Sequence, residues 1–135
     1  NNKHFFGSKK IWIDSFNKVQ CSDLEKTFID CLFKPDYGGG IVEVARAIFT
    51  SKDKIKYDTL LDYAKKFDSQ AVIKRLGFLL EILDINTNII HELQNIRTAS
   101  YVVLDTEVPK TGKRISRWSI QQNLETETIK SAIYT

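Results

Sequence analysis

Between Ser22 and Ile96 apolar side chains return every three or four positions in five successive runs, and on either side the pattern turns to alternation. This change of period constrains the fold most, because a helix buries one stripe of side chains and a strand buries one face. Leu24, Phe28, Cys31 and Leu32 form the first stripe, and Ile41, Val44, Ala45 and Ile48 the second. Leu60, Leu61, Ala64 and Phe67 form the third, and Val72, Leu76, Leu79, Leu80 and Leu83 the fourth. Ile89, Ile90, Leu93 and Ile96 complete the set.

The stops between the runs fit helix ends. Ser22-Asp23-Leu24-Glu25 reads as a capping box, with Glu25 reaching back towards Ser22. Pro35 and Gly38-Gly39-Gly40 end the first helix and reverse the chain. The second helix is expected over Ile41 to Thr50 and the third over Tyr57 to Phe67. Ser69 is the expected N-cap of the fourth, and Asn86 or Thr87 caps the fifth.

Strands are expected at both ends. Lys3 to Phe6 is aromatic-rich, Lys10 to Asp14 alternates, and Phe16 to Gln20 follows an Asp-Ser turn. Tyr101 to Leu104 and Arg114 to Gln121 are the later strands, with Trp118 and Ile120 facing one way and a final short helix after Glu125. The reading is one α+β domain over residues 1–135: about five helices packed on a small sheet of N-terminal and C-terminal strands. A content of 42% apolar and 27% charged residues supports a folded globular chain rather than disorder. With no signal pattern and no apolar run of about 18 residues, the expected setting is cytoplasmic, without membrane contact. The chain opens Asn1-Asn2 and lacks methionine, so it reads as a piece of a larger protein.

Chemistry is sparse. Cys21 and Cys31 with His4 and His91 match no zinc spacing, and no Ser, Cys or Asp stands in a motif with either histidine. Asp23 and Glu25 suit the field of a helix N-terminus, and Asp105 suits a turn. The triple glycine lacks the Lys-Ser/Thr of a phosphate loop. No catalytic residue, metal ligand or cofactor is expected. Gly77 inside an apolar helix implies close approach of another element, and Arg75 beside it is either a partner-binding anchor or the mate of a core-edge carboxylate. The net charge of +3 is mild, but Lys3, Lys9, Lys10 and Lys18 crowd one end and Lys110, Lys113, Arg114 and Arg117 the other. Lys9, Lys10, Lys110, Lys113 and Arg114 are the candidates for nucleic-acid contact, or else lysines protecting strand edges.

Several blocks occur in an order that resembles the AbiEi family of antitoxin-like transcriptional regulators. They are Cys21 to Leu32 with Pro35 and Gly38 to Ala45, then Leu60 to Ala64, Lys74 to Leu80, Tyr101 to Asp105, and Arg117 to Asn123. The resemblance covers roughly residues 4–123 and implies the C-terminal effector domain of such a regulator. It further implies a protein partner, a nucleotidyltransferase-like toxin, with DNA repression by an N-terminal winged helix-turn-helix missing from these residues. Arg75, Gly77, Arg117, Trp118 and Asn123 lie in matching blocks and form the expected partner-binding face. The two rival readings are an accessory nucleic-acid-binding domain and a nucleotide-acting enzyme using Asp105 and Arg75.

Overall fold

The computed structural model describes residues 21–133, and for residues 21–23 the backbone alone. The strands expected before Cys21, together with Lys9 and Lys10, lie outside the described residues. In order the described elements are α1 (Cys21–Phe33), a 3-10 turn (Pro35–Gly38), α2 (Ile41–Thr50), α3 (Tyr57–Phe67), α4 (Gln70–Ile82), α5 (Ile89–Ile96), β1 (Val102–Val103), β2 (Lys113–Ile115), β3 (Ile120–Gln122) and α6 (Thr126–Ile133). The architecture is the α+β arrangement expected, a helical cluster on a small three-stranded sheet.

Helix α4 is the axis of the core. Every residue from Val72 to Leu80 is buried, so this helix is enclosed on all sides rather than along one stripe. It meets α1, α3, α5 and β3, while α2 packs most extensively on α6. Ser69 caps it as expected, its Oγ accepting from the Val72 amide at 3.5 Å. Thr87 Oγ1 accepts from the Ile89 amide at 3.5 Å where α5 begins. The glycine run closes the 3-10 turn, with φ of 88° at Gly39 and 98° at Gly40, values open to glycine at little steric cost. The Gly40 amide donates back to the Pro35 carbonyl at 2.7 Å.

Two expectations are corrected. Glu25 does not reach back along its own helix. It is fully buried, and Oε2 accepts from the Lys56 amide at 2.9 Å, so it caps α3 from across the core. The single strand expected over Arg114 to Gln121 is instead a hairpin, with β2 and β3 antiparallel and Ile115 opposite Ile120. The four residues between them turn, the Ser119 amide donating to the Ser116 carbonyl at 3.3 Å with φ of 54° at Ser119. Alternation looks the same in one strand as in two joined by a tight turn, and no Gly, Pro or Asn marks this one. Among the described residues the sheet order is β1-β3-β2, with β1 parallel to β3.

Candidate functional site

Arg75 lies on the buried axis, only 4% exposed. Its Nη1 donates to the carbonyls of Leu32 (2.8 Å) and Phe33 (3.3 Å), while Nε and Nη2 donate to the Val103 carbonyl at 3.1 and 3.0 Å. The guanidinium therefore satisfies orphan carbonyls at the C-terminus of α1, where the helix field favours a cation, and ties them to β1. Burial pushes Arg75 down to about 10, opposed by the nearby negative charge of Asp105. It remains a cation at neutral pH.

Two residues further, Gly77 opens α4 to the indole of Trp118. A Cβ at Gly77 would lie 2.1 Å from Trp118 Cζ3. Glu81 then holds the hairpin: Oε1 accepts from Trp118 Nε1 at 2.9 Å and Oε2 from Arg117 Nε at 2.6 Å. Arg117 also sits over the indole, 5.7 Å from the ring centroid. Asn123 closes the loop after β1. Its Oδ1 accepts from the Asp105 amide at 3.0 Å, and Nδ2 donates to the carbonyls of Asp105 (2.7 Å) and Pro109 (3.1 Å). Asp105 Oδ1 accepts from the Glu107 amide at 2.9 Å.

These contacts correct the expected partner-binding face. Arg75, Gly77 and Trp118 point into the core, and half-buried Asn123 braces a loop. Arg117 alone of the five is exposed, and it is paired with Glu81. Asp105 is buried too, and neither it nor Arg75 lines any of the described clefts. The C-terminal basic candidates behave differently. Lys110, Lys113 and Arg114 are all exposed and form no ion pair among the described residues. Arg114 lies over the ring of Tyr101 at 5.0 Å from its centroid. Lys113 borders an open cleft of about 550 Å³ that Gln122, Glu125 and Glu127 share.

A second cleft, about 470 Å³, lies between Phe49, Tyr57, Leu83 and Asn86. Tyr57 Oη donates to the Lys52 carbonyl at 2.6 Å, and burial, then the charge of Asp53, raises its phenol above the usual tyrosine value. Among the described residues no group of three or more His, Cys, Asp or Glu side chains is placed to hold a metal ion. No helix there is long and apolar enough to cross a membrane.

Sequence reasoning passed over Lys74 and Arg97. Lys74 is buried in the middle of α4, and the sequence carries no signal that the polar side of that helix is covered. Arg97 follows α5 and carries no pattern of its own. No protein-family model matches the chain, and no curated protein and no solved structure matches it either.

Proposed function

We propose that the chain is a binding domain of the antitoxin-like regulator kind. In this reading it acts by surface contact with a protein partner, a nucleotidyltransferase-like toxin, and supports DNA repression by a winged helix-turn-helix. One observation supports the reading. Blocks far apart in sequence that carry the resemblance are joined directly in space: Arg75 to Val103, Gly77 to Trp118, and Asp105 to Asn123. The ordered resemblance thus follows the contacts that build the fold, as expected if it reflects common architecture rather than scattered similarity. The function of such an architecture rests on its exposed surface.

Co-expression with the product of the adjacent gene is the test. The expected result is a complex that survives size-exclusion chromatography and relieves growth arrest caused by that product. A neighbouring product that is neither toxic nor bound counts against the reading.

A second reading is favoured by Lys110, Lys113 and Arg114, exposed together around the hairpin without carboxylate partners among the described residues. As a phosphate-contacting edge they give duplex affinity that falls steeply with salt. Replacing all three by Gln lowers the slope of log K against log salt by up to about 2.7, three contacts' worth. Fluorescence anisotropy measures this, and no duplex binding at low salt removes the reading.

A further inference from the structure

Lys74 and Arg97 form a cationic cluster that no carboxylate neutralises among the described residues. Lys74 is fully buried on α4. Its ammonium donates to Thr98 Oγ1 at 3.0 Å, to the Ser100 carbonyl, and to Ser100 Oγ at 3.4 Å. All three acceptors are neutral. Arg97 donates from Nη1 to Ser119 Oγ at 2.9 Å, and its Nε is sealed from solvent with no hydrogen-bond partner. Neither cation belongs to any ion pair among the described residues. Burial, then the charge of Arg97, holds the Lys74 ammonium below the usual lysine range. With Lys74 withdrawn from water and the half-buried Arg97 keeping one sealed donor idle, an anion joining the two cations would be stabilising.

The surroundings indicate where the anion enters and what it carries. Thr98, Ser100 and Tyr101 are exposed, so the cluster opens towards the loop between α5 and β1. Gln70 pins that loop from beneath, accepting from the Thr98 amide at 2.8 Å and donating to the Ile96 carbonyl at 3.1 Å. The Thr98 and Ser100 hydroxyls lie 3.3 Å apart, and each keeps its own proton while accepting from Lys74. One of them bonds the other, which leaves a hydroxyl proton, polarised by Lys74, to turn outwards. Next in the chain is Tyr101, which is 38% exposed and carries Arg114 over its ring. An exposed aromatic residue following a cationic, hydroxyl-rich cluster in the chain offers a stacking platform for the base of a nucleotide whose phosphate the cluster holds.

We infer that Lys74, Arg97, Thr98 and Ser100 form a site for the phosphate group of a nucleotide, free or within a single strand, whose base stacks on Tyr101. This goes beyond the function proposed above and needs neither a protein partner nor duplex DNA.

The 135-residue chain is titrated with inorganic phosphate, a nucleoside monophosphate and a short oligothymidylate at constant ionic strength, with chloride as control. Amide shifts in nuclear magnetic resonance are the readout. The expected result is saturable shifts at Thr98, Ser100 and Ser119, tighter for both nucleotide probes than for phosphate. A strand bound more tightly than the monophosphate marks the strand as the source, and equal affinity marks the free nucleotide. Arg97→Gln weakens nucleotide binding about ten-fold, as expected for a lost charge-assisted hydrogen bond. Tyr101→Ala weakens it about ten-fold while leaving inorganic phosphate unchanged. Should Arg97→Gln unfold the chain, Thr98→Val removes one hydroxyl instead and is expected to weaken all three probes. Lys110→Gln with Lys113→Gln leaves the monophosphate unaffected, which separates this site from the basic edge. Equal responses to phosphate and chloride overturn the inference, as does an Arg97→Gln chain that binds normally. Phosphate binding with no preference for the nucleotide overturns the part assigned to Tyr101.

Discussion

Gly77→Ala is expected to destabilise the fold by about 2–3 kcal/mol, the range for overpacking a filled core, although Ala in a helix is ordinarily worth about 1 kcal/mol over Gly. The added methyl carbon would sit 2.1, 2.4 and 2.6 Å from Trp118 Cζ3, Cη2 and Cε3. The indole has little room to yield, being fully buried and held through Nε1 by Glu81. Trp118→Ala alone is expected to cost about 3–5 kcal/mol as a large-to-small core change. In that background the obstacle is gone, so adding Gly77→Ala becomes neutral or stabilising by up to about 1 kcal/mol. The change of sign is the diagnostic result, a coupling of about 3 kcal/mol in a double-mutant cycle followed by urea denaturation. Additive effects of the two substitutions would refute the assignment of Gly77 as the seat of the indole.

Arg75→Met is expected to lower stability by about 3–5 kcal/mol, because several buried acceptors are left without a donor. Its cause differs from a cavity. The carbonyls of Leu32, Phe33 and Val103 lose their donor together, and an unsatisfied buried acceptor costs about 1–3 kcal/mol. Arg75→Lys should recover less than half of the loss. A single ammonium at the end of a flexible stem cannot bridge α1 and β1 as the planar fork does. Equilibrium unfolding of the two variants measures this directly. If Arg75 were instead a surface anchor for a partner, both variants would stay within about 0.5 kcal/mol of the parent, as ordinary surface changes do.

Both predictions rest on residues expected from the sequence to form a binding face, and the reason for that misplacement is physical. A helix stripe identifies the side that must be buried, but it does not say whether the opposite side is covered as well. For α2 and α3 one stripe was enough, and the bounds Ile41–Thr50 and Tyr57–Phe67 follow from it. For α4 it was not, because α1, α3, α5 and β3 surround it and take in Lys74 and Arg75. Asn123 shows the same limit on a smaller scale. Nothing in its neighbours announces that its amide will bridge the backbone of Asp105 and Pro109.

The sequence by itself determined the helical elements, their order and their main punctuation. Those depend on spacing and caps within a few residues, as at Ser69 and the glycine run after Pro35. Only the tertiary structure decided that Glu25 caps α3 rather than its own helix, that Arg114 to Gln121 folds into a hairpin, and that Lys74 and Arg97 lack a carboxylate partner among the described residues. Each of these joins residues distant in the chain or replaces a local preference with a packing contact. The hairpin turn carries no Gly, Pro or Asn and buries Trp118 against Gly77 on α4. Local physical chemistry can read a stripe or a cap, whereas the partner of a buried charge is set by which elements the core brings together.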